Sequence, residues 1–232
     1  MYLLATIILL ILILIIIYYI THVKIVPSWI NNLFATDIAI YETDVTWCRI
    51  LRDNYTLILE EYDNYITNNT VLYYSDQIPA VSKDIDVHHK WKTIILRVYN
   101  INTALIKFFP KTMSLIPNHC SVVMFSILEP NCHLKPHIGI YSGVLRYHLA
   151  LKTPVDYTNC YLEIKTNEWQ KIPWLAGTDV IFDDMFMHQV FNKTCEERVV
   201  LFLDIIKKNG QFLDWLNHLC IWLISTNDDI SL

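Results

Sequence analysis

The sequence predicts a mainly β domain with flanking helices, a sandwich or jelly roll, preceded by an N-terminal transmembrane helix. Two observations carry this expectation. From Ser121 onwards the chain falls into short apolar and β-branched runs, broken at Pro130, Pro154, Asn167 and Gly177. Many short strands at such spacing suggest an antiparallel double-sheet architecture. Far upstream, Leu3–Ile20 is an unbroken apolar run in which Thr6 is the only hydroxyl apart from tyrosines.

The elements follow in order. Residues 2–20 read as a transmembrane anchor, because eighteen residues at 1.5 Å each span roughly 27 Å. Tyr18 and Tyr19 stand where interfacial aromatics are expected. A cleaved signal peptide is disfavoured by the missing basic n-region, the overlong apolar run and the lack of a small-x-small cleavage site. Residues 21–42 read as a stalk and short helix. Thr43 or Asp44 is placed to cap a helix reaching about Tyr65, with Trp47, Ile50, Leu51, Leu57, Ile58 and Tyr62 at helical spacing. Trp91–Tyr99 reads as a strand, and Pro110-Lys-Thr112 breaks it from a short helical or loop segment. Strands are expected at 121–128, 146–152, 160–164, 179–182, 189–192 and 198–205. Residues 43–208 thus form one domain with its core over 121–206. Residues 209–232 form a C-terminal amphipathic helix and tail, with Phe212, Trp215, Leu216, Leu219, Trp222 and Leu223 as the stripe expected to dock it. That stripe is too short to span a bilayer; its alternative is an interfacial helix.

Composition excludes one class of partner. The formal net charge is −5 and no basic stripe appears, so no nucleic acid is expected. Membrane orientation rests on conflicting signals. Lys24 after the helix favours a cytosolic domain, whereas sequons at Asn54, Asn68 and Asn192 favour the secretory lumen. Cysteines 48, 120, 132, 160, 195 and 220 show no CxxC spacing, leaving both disulfides and buried thiols open.

The chemistry concentrates in one stretch. His137 in His133-Leu-Lys-Pro-His137-Ile-Gly139 is followed fifty-one residues later by His188, with Arg146, His148 and Arg198 at set distances around them. Two neutral imidazoles can hold a divalent iron. Two guanidinium groups and a third imidazole can hold a small dicarboxylate. Cys132 and His133 stand beside the first histidine, but His133 is not expected to share a face with His137. Position 139 is Gly, where a two-His-one-carboxylate site would carry an acid.

In sequence order these groups are Phe125-Ser126-Ile-Leu-Glu-Pro-Asn-Cys-His-Leu-Lys-Pro-His137-Ile-Gly139, Leu145-Arg146-Tyr-His148-Leu, Ile181-Phe-Asp-Asp-Met-Phe-Met-His188-Gln-Val-Phe, and Arg198. Taken together, this stretch resembles the aspartyl/asparaginyl β-hydroxylase family over about 85 residues, Ser121 to Asp204. Weaker similarity reaches back through Pro110-Lys-Thr112 towards the Trp47 helix. The resemblance implies a double-stranded β-helix (cupin-like jelly roll) that uses Fe(II) and 2-oxoglutarate. It makes His137 and His188 the iron ligands, with water in place of the acidic ligand and Asp183 and Asp184 in supporting or turn roles. Ser126 and Arg198 would hold the distal carboxylate of 2-oxoglutarate, and Arg146 and His148 the end nearer the metal. No catalytic residue beyond the metal centre is implied. An upstream aromatic often covers the cosubstrate in the family; neither Trp91 nor Tyr99 is assigned that role. The expectation is a minimal membrane-anchored dioxygenase, with its domain in the secretory lumen, hydroxylating an Asp or Asn side chain of a polypeptide. A lipid acyl chain is the alternative substrate, and an inert jelly-roll binding module the third reading.

Overall fold

The computed structural model describes residues 2–18, 26–78, 84–86 and 88–226. Most of the expected stalk, the end of the expected anchor and the tail beyond Thr226 lie outside them.

Twelve described strands form two antiparallel sheets. The larger runs β1 (Ile40–Tyr41), β10 (Asp179–Phe182), β7 (Val144–Lys152), β12 (Arg198–Ile206), β5 (Cys120–Leu128), β3 (Trp91–Val98) and β2 (Leu72–Tyr73), with β4 (Ile101–Asn102) added beside β3. The smaller runs β6 (Cys132–His137), β11 (His188–Asn192), β8 (Cys160–Lys165) and β9 (Trp169–Pro173). The two sheets close face to face on a shared core, in which Met124, Ala150 and Val200 meet Leu134, Leu162 and Val190. This is the jelly-roll arrangement that the strand spacing predicts.

Both faces of the central strands are covered, which explains their continuous rather than alternating hydrophobicity. All nine residues of β5 are buried. The inner face meets the small sheet. The outer face carries Phe125, Tyr147, Leu149, Leu201 and Leu203 against Leu51, Ile58 and Tyr62 of the preceding helices. Truncating a buried Phe such as Phe125 to Ala would cost about 3–5 kcal/mol.

The long helix expected up to Tyr65 is two helices, α3 (Thr46–Asp53) and α4 (Tyr55–Asn68). The chain bends at Asn54, where φ is −111° and ψ 15°. Val45 holds the N-cap position, and neither Thr43 nor Asp44 caps the helix through its side chain. After α5 (Tyr74–Gln77) comes α6 (Pro110–Leu115), which starts at the proline read as a break. Glu61 of α4 caps it, accepting from the backbone N–H of Lys111 at 2.9 Å and of Thr112 at 2.8 Å.

The terminal helices differ from expectation. The apolar N-terminal run forms α1 (Tyr2–Tyr18), 17 residues long, which reaches roughly 26 Å. Among the described residues no helix is long and apolar enough to cross a membrane. The expected span over 2–20 is not supported by the described residues, and its last two residues lie outside them. Ile16 of α1, Ile30 and Phe34 of α2 (Ser28–Phe34), and Ile221 and Leu223 of α7 (Gln211–Ser225) share a third core cluster. The expected docking stripe of α7 is corrected in part. Leu216 and Leu223 are buried, but Phe212, Trp215 and Trp222 point outward.

Candidate iron and cosubstrate site

The last residue of β6 and the first of β11 are paired in register, and they are His137 and His188. Their rings lie 4.1 Å apart between centroids. Each orients itself on the backbone two residues earlier: the Nδ1 of His137 meets the Lys135 carbonyl at 2.7 Å, and that of His188 the Phe186 carbonyl at 3.0 Å. A carbonyl can only accept, so Nδ1 carries the proton in both rings and both Nε2 lone pairs are free to ligate. Burial holds both rings below the ordinary histidine pKa, and the proximity of the two rings pushes His188 further down. Both are therefore neutral, as a ligand must be.

His133 stays outside the pair. A register shift interrupts the β6–β11 ladder between Val190 and His188. Residues i and i+4 of a regular strand share a face; the shift breaks that parity. His133 instead stacks on Phe191 at 4.1 Å and meets the Gln189 side chain at 3.1 Å. Cys132 is buried, and burial pushes its thiol up to about 12.

The remaining predicted residues line the inner face of the large sheet. In β12 the inward positions are Arg198, Val200, Phe202 and Asp204. Register sets Ser126 beside Val200, His148 beside Phe202 and Arg146 beside Asp204. Arg198 is 2% exposed. Its guanidinium lies 4.5 Å from the centre of the Trp174 ring, and Nη1 donates to the Ser126 carbonyl at 3.3 Å. Among the described residues no carboxylate pairs with it, and burial lowers its pKa. Arg198 Nε, Trp174 Nε1 and both nitrogens of His148 are buried without a hydrogen-bond partner among the described residues. A buried cation ringed by unused donors is costly unless an anion completes it. Ser126 Oγ accepts from Trp91 Nε1 at 2.9 Å, which leaves its own proton to donate.

Arg146 arrives already engaged. Nη2 meets Asp184 at 2.8 Å and Nε meets Asp204 at 3.1 Å. Burial opposes its charge, but these two carboxylates more than offset that and hold it ionised. Burial pushes the Asp184 carboxyl up to about 6, with Arg146 pulling the other way. Asp183 is bound instead to the buried Lys207, at 2.8 Å. The sequence reading missed Asp204 and Trp174. Asp204 alone carried a usable signal, as a lone charge among apolar strand residues.

The jelly roll, the facing histidines and the unpaired arginine define the Fe(II)/2-oxoglutarate oxygenase class. The residues present fit both groups: the facing neutral rings of His137 and His188 would hold iron, and the unpaired Arg198 with Ser126 a distal carboxylate. The model of the family described as aspartyl/asparaginyl beta-hydroxylase matches residues 52–208, and the chain belongs to that family. Iron and 2-oxoglutarate are its cofactors.

Relatives differ in what they act on. The chain is 32% identical over 183 residues to the ornithine lipid ester-linked acyl 2-hydroxylase of Rhizobium tropici, covering 76% of this chain and 64% of that protein. It is 31% identical over 104 residues to the human aspartyl/asparaginyl beta-hydroxylase, covering 44% of this chain and 12% of that protein. The chain thus spans less than two thirds of the curated relatives it matches. A Trichoplax adhaerens prolyl hydroxylase, solved in complex with a hypoxia inducible factor peptide fragment, shares the fold with a TM-score of 0.52 at 14% identity. That likeness covers 82% of this chain and 89% of that one.

Proposed function

We propose that the protein hydroxylates an unactivated carbon of a lipid acyl chain. One observation favours hydrocarbon over the Asp or Asn side chain that the sequence reading placed first. The cavity beside His137 is walled mainly by apolar side chains, among them Ile95, Met124, Ile138, Val144, Ile221 and Ile224. Its only full charges among the described residues are Arg146, Asp184 and Asp204, His137 being neutral. Arg146 is bound by both carboxylates. An anionic substrate side chain would meet an excess of negative charge and no free cation. The name of the Rhizobium relative supports the same reading.

Bound iron and 2-oxoglutarate supply the oxidising chemistry that inserts one oxygen atom of dioxygen into a C–H bond, releasing succinate and carbon dioxide. The chain's own part is positional. His137 and His188 fix the metal, Arg198 and Ser126 the far end of the cosubstrate, and the apolar walls exclude water.

The second reading, a peptidyl Asp or Asn substrate, is favoured by the likeness to the animal enzymes. Succinate formation by the purified chain decides between them. Lipid extracts should stimulate it and gain one oxygen atom by mass spectrometry; stimulation by Asn- or Asp-containing peptides alone would select the second reading. We infer a lumenal domain, a reading that the exposed sequon residue Asn68 supports. All six cysteines are free thiols, which suits a reducing compartment instead. A glycosidase-sensitive mobility shift on expression in a eukaryotic cell supports the lumen; none argues for the cytosol.

A further inference from the structure

Helix α7 docks by one face and leaves the other without a partner among the described residues. Leu216, Asn217, Cys220, Ile221, Leu223 and Ile224 are buried. Asn217 fastens that face, accepting from the Tyr141 hydroxyl at 2.8 Å and donating to the Gly143 carbonyl at 2.7 Å. The outward face presents Phe212 at 59% exposure, Trp215 at 50% and Trp222 at 59%. Positions 212, 215 and 222 lie along one side of the helix. The single charged residue of α7 is Asp214, which accepts from the backbone N–H of Asn209 near the helix start.

Two other helices continue the same surface. Ile30 and Phe34 of α2 and Ile16 of α1 enter the cluster that α7 closes. Trp29 and Leu33 of α2, and Leu10, Ile11 and Leu14 of α1, remain exposed. Neither α1 nor α2 contains Asp, Glu, Lys or Arg. Ile221 and Ile224, on the inner side of α7, line the cavity together with Ile138 and Ile140, both themselves about half exposed. The cavity rim and the uncharged surface therefore belong to one region.

The chemistry of α1 selects the occupant. A helix apolar on every side is at home in a protein core or in lipid. A soluble partner would have to cover every part of that helix that the domain leaves exposed, whereas hydrocarbon does so without polar partners. Tryptophan suits the boundary, since its ring is apolar and its N–H can reach headgroups. We propose that α1, α2 and the outer face of α7 form a surface that seats the domain on a phospholipid bilayer. Phe212, Trp215 and Trp222 then lie in the interfacial layer, and the cavity rim faces the lipid. The surface does not depend on which substrate is turned over.

The test uses the full chain with phosphatidylcholine vesicles, with or without brominated acyl chains. Brominated chains should quench the tryptophan emission, and the triple variant W29F/W215F/W222F should lose most of that quenching. Its 2-oxoglutarate turnover without substrate should be unchanged, because none of the three residues lines the cavity. In the unaltered protein, iodide confined to water should lose access to the emission when vesicles are added. Iodide access that vesicles leave unchanged, or equal brominated-lipid quenching of protein and variant, overturns the proposal. So does a detergent-solubilised dimer that the triple variant converts to monomer without any lipid quenching, which would make the face a contact between two copies.

Discussion

The α-carbon of Gly139 lies against the carboxylate of Asp184: a methyl group built on it would stand 2.3 Å from Oδ2 and 2.4 Å from Oδ1. The Gly139 N–H also donates to the Asp184 carbonyl at 2.7 Å. The space in which a two-His-one-carboxylate site carries its acidic residue is thus taken by a carboxylate from the turn before β11, paired to Arg146. Gly139→Ala should displace that carboxylate and lower kcat/KM about tenfold, equivalent to about 1.4 kcal/mol. In an Asp184→Ala background the same substitution should cost little, since the obstructed group is gone. Steady-state kinetics on the four proteins of this cycle measure the coupling. An equal loss in both backgrounds would falsify the contact as the reason for the glycine.

The histidine assignment makes a sharper contrast. His137→Ala and His188→Ala should each abolish Mn(II) binding, measured by titration in the presence of 2-oxoglutarate. Wild-type binding without 2-oxoglutarate should be weak, because two protein ligands leave the metal shell incomplete. His133→Ala should bind metal normally, as its ring stacks on Phe191 on the far side of the register shift. Lost metal in the His133 variant, or retained metal in either of the others, contradicts the geometry.

What could be read from sequence follows from what each element packs against. Strands β5, β7, β10 and β12 announced themselves because their residues are buried and apolar. Strand β6, Cys-His-Leu-Lys-Pro-His, did not, since Lys135 and Pro136 are exposed and only its pairing with β11 makes it a strand. Strand β9 is an edge with almost no buried residue and was missed for the same reason. The break at Asn54 is invisible to periodicity, which continues across it. In α7 the apolar spacing gave the helix but not which part of the stripe docks. At the site, the residue types and their order marked His137, His188, Ser126, Arg146, His148 and Arg198. Trp174 carried no signal, because it meets Arg198 only through the closure of the two sheets.

Acid should destabilise the metal-free protein through His148. Its ring is packed between Phe182 and Phe202, and burial, then the charge of Arg198, holds it well below the ordinary value of 6.5. The unfolded chain therefore takes a proton below about pH 6.5 that the folded chain refuses. With more protons bound in the unfolded state, stability falls as pH drops, by up to about 1.4 kcal/mol per pH unit for each such histidine. Above that range its contribution is constant. His148→Phe should make the dependence of the urea midpoint shallower between pH 6.5 and 5 by roughly one histidine's share, with His188 supplying a slope of its own. Parallel curves for variant and parent would mean that His148 is charged in the folded state.

Arg198 should separate stability from binding. In the absence of cosubstrate its guanidinium is a buried charge with no carboxylate opposite among the described residues, a net cost to the fold. Arg198→Met keeps most of the side-chain volume over Trp174 and removes that charge. The metal-free, cosubstrate-free variant should therefore melt at or above the parent's Tm. The same substitution removes a charge-assisted contact worth roughly 1.5–3 kcal/mol to the distal carboxylate, so the apparent 2-oxoglutarate requirement should rise about ten- to a hundredfold. The thermal shift that 2-oxoglutarate gives the Mn(II)-loaded parent should shrink accordingly. A purely structural arginine would show the reverse, a lower Tm and an unchanged 2-oxoglutarate affinity. Opposite signs in the two measurements identify Arg198 as the cosubstrate's anchor.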